Sequence, residues 1–140
     1  MRFKKLTTTA TTPTRGTPGA AGLDLYADQD AFIVDYASIM VGTGIAVEVP
    51  EGYVGLLFLR SSMGKTGVSL TNSVGVIDSD YRGELKLCLT YSIGNGGHFI
   101  RQGDRIAQLV VLPAPTFDLT EVDELSYTDR GTGGFGSTGQ

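Results

Sequence analysis

Ile39-Met40-Val41-Gly42-Thr43-Gly44-Ile45-Ala46-Val47-Glu48-Val49 carries a β-branched side chain at every second position. In an extended chain successive side chains point to opposite faces, so this row of six lines one side of a strand and buries there. A helix turns by 3.6 residues and would scatter the same row around its axis. Leu85, Leu87, Leu89, Tyr91 and Ile93, alternating with Lys86, Cys88, Thr90 and Ser92, form a second such run. Shorter strands are expected at Leu23 to Ala27, Ala31 to Val34, Tyr53 to Arg60, Val68 to Leu70 and Ile106 to Leu112. Clusters of Gly, Pro, Asp and Asn between them supply turns. The pattern predicts an all-β fold, a barrel or jelly roll, with one short helical turn at Ser61 to Lys65 that two serines are placed to cap. Thr7 to Gly19 reads as an irregular lead-in.

Composition agrees with one folded domain. The 140 residues are 41% hydrophobic and 19% charged, and the 20 glycines fall between β-branched runs rather than in triplets. A formal net charge of −4 argues against a broad nucleic-acid surface but leaves room for a small anion held by a few local cations. The single cysteine, Cys88, excludes an internal disulfide and is expected to be buried and reduced. MRFKKLTTTA lacks the apolar stretch of a secretion signal and no run reaches membrane-spanning length, so a cytoplasmic location is expected. His98, the only histidine, stands in a Gly-rich loop, which disfavours a Ser-His-Asp hydrolase; one Cys and one His do not furnish a usual zinc set.

Three stretches carry candidate chemistry. Arg60-Ser61-Ser62 joins a guanidinium fork and two hydroxyls to the free N–H groups of a helix start, a set of donors suited to phosphate. A surface arginine beside a helix cap has the same letters. Asn72-Ser73-Val74-Gly75-Val76-Ile77-Asp78-Ser79-Asp80-Tyr81-Arg82-Gly83 offers a carboxylate able to deprotonate a water and a ring able to stack on a flat ligand. It is also what an ordinary turn contains. Arg130-Gly131-Thr132-Gly133-Gly134-Phe135-Gly136-Ser137-Thr138-Gly139 combines a cation, backbone free to approach phosphate, two hydroxyls and a lone aromatic, and the ligand reading is preferred there over a plain tail. Asp24 in a short strand suits either a metal's water shell or solvent, and Asp104, Arg105 and Gln108 suit a salt-linked turn followed by a strand.

In order, AGLDL, PEGYVGLLFLRSS, NSVGVIDSDYRGEL, GDRIAQL and RGTGGFGSTG resemble the five motifs of the trimeric dUTPase family, from Ala21 to Gly139. The resemblance implies a distorted jelly-roll β-barrel of the dUTPase-like β-clip type over residues 1–128. Residues 129–140 would be a Gly-rich arm reaching a neighbouring subunit of a homotrimer. It implies hydrolysis of dUTP to dUMP and pyrophosphate with Mg²⁺, which limits uracil in DNA and supplies dUMP for dTMP synthesis. By that likeness Asp78 activates the water, and Tyr81 lies under the deoxyribose and rejects a 2′-hydroxyl. Asn72, Gly75, Val76, Ile77 and the backbone at Lys86 read the uracil edge. Arg60, Ser61, Ser62, Gln108 and Arg130 contact phosphates, with Arg130 on the γ-phosphate, while Asp24 meets the metal through water. Phe135 stacks on the base, and Gly136, Ser137 and Thr138 close over the phosphates. The gap from Arg60 to Asn72 is about one residue shorter than in many relatives, which leaves Lys65 without a role. A dCTP deaminase shares the barrel and the Arg-Ser-Ser cradle, but the DSDY turn and the terminal arm favour phosphate chemistry; a noncatalytic trimeric module would have little need for Asp78 and Arg130 together. Neither nucleic acid nor membrane is an expected partner.

Overall fold

The alternating row becomes β4 (Ser38–Glu48), the longest strand of a computed structural model that describes residues 1–134. Around it, in chain order, are β1 (Arg2–Lys5), β2 (Leu23–Tyr26), β3 (Ala31–Val34), β5 (Tyr53–Leu59), α1 (Ser61–Gly64), β6 (Val68–Leu70), β7 (Gly75–Ile77), β8 (Glu84–Tyr91), β9 (Gly97–Ile100) and β10 (Arg105–Pro113). Strands β1-β4-β8-β6 make one sheet, β2-β10-β5-β7 a second and β3-β9 a small third, and every pairing is antiparallel. The all-β expectation holds.

Val41, Ile45, Leu85, Leu87 and Leu89 from the first sheet meet Leu25, Leu57, Ile106 and Leu109 from the second and Ile33 and Ile100 from the third in one core. The alternation in β4 survives an irregularity that could have ended it. Pairing with β8 runs from Ser38↔Thr90 to Gly42↔Lys86 and resumes at Ala46↔Glu84, so four steps of β4 face two of β8. Because the excess is even, Thr43 and Ile45 stay on the core side. Within the bulge the buried Thr43 hydroxyl donates to Leu85 O (2.8 Å), and Gly44 N–H donates to Glu84 Oε1 (2.9 Å). Gly44 sits at φ +64°, and a Cβ there would lie 2.7 Å from both Ala10 Cβ and Thr7 Oγ1, so strain and collision together require glycine.

Three strands were not among those expected. In β1 all four residues are exposed, and the strand exists because the edge of β4 extends far enough to pair Arg2↔Glu48 through Lys5↔Ile45. β7 has three residues, and β9 starts at a glycine, so neither shows a readable period. The short helix is present, but Arg60 occupies its N-cap and no side chain caps it, contrary to the serine caps expected. Cys88 is a free thiol but only half-buried, because it takes an outward position between buried Leu87 and Leu89. Thr7 to Gly19 is irregular apart from a bridge of Thr14 to Asp24. Beyond β10, residues 114–134 contain no helix or strand. Among the described residues no helix is long and apolar enough to cross a membrane.

Candidate active site

Cross-strand register assembles the first half of the site. Asp24 on β2 faces Gln108 on β10, and β10 in turn pairs with β5, whose end delivers Arg60. Arg60 N–H donates to Ile106 O (3.0 Å), which ties the chain down just before α1. The guanidinium then grips Asp24 at two points, Nε to Oδ1 at 2.8 Å and a terminal nitrogen to Oδ2 at 3.2 Å. Arg105 adds a contact to Oδ2 at 3.4 Å. Asp24 is buried, with 7% of its surface exposed, and burial of a carboxylate requires such partners. Asp24, Arg60, Ser61 and Gln108 line one cleft of about 290 Å³ together with the backbone of Gly16 and Ala20 to Gly22. Ser62 is exposed on the next residue of α1.

The second half lies where the chain passes from one sheet to the other. The strands on either side of that passage do not pair with each other: β7 pairs with β5, whereas β8 pairs with β4 and β6. β7 is therefore an edge strand. On the β6 side of β8, pairing reaches Leu89, with one more bond from Thr71 N–H to Cys88 O (2.9 Å), and among the described residues no strand covers β8 from there back to Glu84. Two stretches of backbone with one edge that no strand covers among the described residues, Gly75–Ile77 and Glu84–Leu87, are thus joined by one turn.

That turn carries Asp78 and Tyr81, closed by Tyr81 N–H donating to Asp78 O (3.2 Å). Asp78 is exposed, and among the described residues no cation pairs with it. The Tyr81 hydroxyl donates to Glu84 O (3.0 Å), laying the ring across Gly83 so closely that a Cβ on Gly83 would strike it. Arg82 reaches back and donates to Ser79 O (2.6 Å) and Tyr81 O (2.9 Å). Its other end points to Glu48 at 3.9 Å, which Arg2 holds at 2.6 Å. The Arg2 hydrogen bond holds the Glu48 carboxyl below the ordinary carboxylate value, with a smaller push from the charge of Arg82. Upstream, the Asn72 amide donates to Val74 O (3.2 Å), and Ser73 adopts φ +61° beside it.

Not all expected residues converge within one chain. Asp78 follows Ile77, which faces Gly55, and Arg60 lies five residues further along β5. Asp78 stands one step beyond Ile77, level with Val54, so at about 3.3 Å per residue six steps put the cradle and the carboxylate roughly 20 Å apart, at opposite ends of one strand pair. The Lys86 side chain turns to Glu84 (3.2 Å) and lines a different cleft with Met40 and Gly42. Arg130 is exposed and donates to Gly133 O (2.9 Å) within its own turn. Phe135, Gly136, Ser137 and Thr138 lie outside the described residues. Sequence reasoning missed the parts played by Arg82 and Arg105. A basic residue next to a turn is too common to signal that it clamps carbonyls, and the partner of Arg105 is remote in sequence.

The family model described as dUTPase matches residues 8–139. The chain is 47% identical to the deoxyuridine 5′-triphosphate nucleotidohydrolase of Paramecium bursaria Chlorella virus 1, over 97% of this chain and 95% of that protein. It is 46% identical to the protein of that name from Nocardia farcinica, over 91% and 78%. Among solved structures, the Staphylococcus bacteriophage 80alpha dUTPase with dUpNHpp superimposes with a TM-score of 0.87 at 29% identity, covering 99% of this chain and 98% of that one. A D95N mutant of the phage phi11 enzyme of S. aureus, described as coordinating a structural Mg(II) ion, superimposes with a TM-score of 0.81 at 26% identity, over 90% and 98%.

Proposed function

The chain belongs to the dUTPase family and is an enzyme of dUTP hydrolysis, and from that premise we propose that it works as a homotrimer in which Asp78 activates the attacking water. One observation carries this reading. Among the described residues, an exposed carboxylate without a cationic partner, beside an exposed aromatic ring, sits roughly 20 Å along β5 from the cleft that joins Arg60 to Gln108. A single triphosphate meets both groups when one subunit supplies the turn and another the cradle. The segment after β10 supports assembly too: Phe117, Leu119, Leu125 and Tyr127 are 81%, 100%, 89% and 89% exposed, apolar surface that a neighbouring copy would cover.

The chemistry follows from the groups present. Arg60 and Gln108, with Ser61 and Ser62 at the start of α1, hold the phosphates of one nucleotide. From the adjoining subunit, the free backbone of Gly75–Ile77 and of the β8 stretch around Lys86 pairs with the uracil edge, with Asn72 shaping the loop beside it. Tyr81 packs against the sugar, too close to admit a 2′-hydroxyl. Asp78 orients a water in line with the α-phosphorus and takes its proton as the P–O bond to pyrophosphate breaks. Residues 129–140 act as an arm on the body formed by 1–128: Arg130 binds the terminal phosphate, Phe135 covers the base, and Gly136, Ser137 and Thr138 close over the phosphates and exclude water. Among the described residues no three His, Cys, Asp or Glu side chains gather as a metal cage, and both oxygens of Asp24 are engaged by arginines. That donor set fits magnesium carried on the phosphates with Asp24 touching only its water shell; when bound, the ion supplies charge neutralisation. The function is tested by pyrophosphate release from dUTP, dTTP, UTP and dCTP. Release confined to dUTP is expected, whereas conversion of dCTP to dUTP would establish the deaminase instead.

A further inference from the structure

Resting on the phosphate-cradle reading above, we propose that Arg105 is a positioning residue that offsets the charge of Asp24, so that Arg60 presents a net positive charge to the substrate.

Charges confined in a buried place do not act independently. Asp24 has 10% of its side chain exposed and holds both contacts from Arg60. A close carboxylate and guanidinium cancel at a distance, so the Arg60–Asp24 pair alone offers a triphosphate little attraction. It also sets a buried negative group near the phosphates. Arg105 touches the same carboxylate at 3.4 Å, on the Oδ2 that a terminal nitrogen of Arg60 also reaches. One anion shared by two cations leaves the cluster a net charge of +1, with Arg60 as its member in the cleft.

The geometry also says why the residue sits there. Gln108 is paired with Asp24, and Arg105 with Tyr26, but the register shifts between Arg105 and Ala107. A bulge re-aims the side chain it carries, and here it brings Arg105 back onto Asp24 rather than along its own strand. Arg105 has half its side chain exposed, whereas Arg60 is about a quarter exposed. The second cation thus adds charge without occupying the cradle.

The experiment is a charge cycle read by equilibrium binding of the nonhydrolysable analogue α,β-imido-dUTP to the full-length protein, in magnesium and again in EDTA. The EDTA arm removes any part Asp24 plays toward the metal's water shell. Arg105→Gln is expected to weaken binding about tenfold and to raise KM with little change in kcat, while Arg105→Lys keeps most of the affinity. Because Arg60 still pairs with Asp24, the melting temperature of Arg105→Gln should stay near that of the parent. Asp24→Asn combined with Arg105→Gln should bind more tightly in EDTA than Arg105→Gln alone, since the anion that needed offsetting is gone. Parental affinity in Arg105→Gln, or a double variant weaker than that single one, overturns the proposal. Arg60→Gln, run alongside, reads the cradle itself. Weakening there with none at Arg105→Gln rejects the Arg105 role alone, and no weakening in either rejects the cradle with it.

Discussion

The two ends of the β5–β7 pair are built on opposite principles. At the Arg60 end a buried carboxylate is paired with two guanidiniums and the cluster is fixed by cross-strand register: Asp24, Arg60 and Arg105 satisfy one another before any ligand arrives. At the Asp78 end the carboxylate proposed as the base is exposed, and order comes from a backbone clamp, Arg82 on the carbonyls of Ser79 and Tyr81. Preformed pairing suits a binding group, whose charge must stay where it is. An unpaired carboxylate suits a base, which has to accept a proton rather than keep a counterion.

If this contrast is right, the two ends fail in different ways. The largest effect is expected at Asp78→Asn, which removes the proton acceptor while keeping shape: kcat should fall by about 10²–10⁴ with analogue binding largely kept. An active variant would remove Asp78 from the mechanism. Truncation after Asp129 should slow hydrolysis by roughly 10² through loss of closure and leave the proposed trimer assembled by light scattering; full activity in that form would refute the arm. Arg82→Ala frees two turn carbonyls without touching substrate, so kcat should drop by about tenfold for a misplacement of this size, with the phosphate end measured by pyrophosphate inhibition unchanged. Equal loss at both ends would blur the distinction drawn here.

The smallest effect concerns Glu48. Its carboxyl is held below the ordinary value in the folded state, chiefly by Arg2. A depressed folded value means the stabilisation is present above the unfolded value, whose reference is 4.5, and is lost as pH falls through the folded one. Glu48→Gln should therefore flatten the fall in melting temperature below about pH 4.5 slightly and leave neutral pH nearly unchanged. A large change at neutral pH would mean that Glu48 bears more of the turn than an exposed pair normally does.

Much of the fold was legible. Strands with strict alternation, β4 and β8, announced themselves, since a buried face needs only a period of two. β1, β7 and β9 did not: the first is exposed throughout and the other two open on a glycine, which shows no side chain to count, so each is created by the edge beside it. The candidate residues were readable as ordered motifs, but their partners were not. Nothing in the letters around Asp24 says that guanidiniums from positions 60 and 105 will meet on it.

The sequence by itself determined the alternating inward rows of β4 and β8, that the chain is all-β, and which residue types were available for anion binding and proton transfer, because these depend on local period and intrinsic chemistry. It did not place Cys88, which lies half-buried on the outer face of β8, or Ile93, which is exposed beyond its end. Only the tertiary structure decided that Asp78 and Arg60 stand at opposite ends of one strand pair, that β7 leaves β8 unpaired across the turn, and that Asp24 is shared by two arginines. Such facts arise from register between strands remote in sequence. Register is set by the packing of a whole core rather than by any single segment.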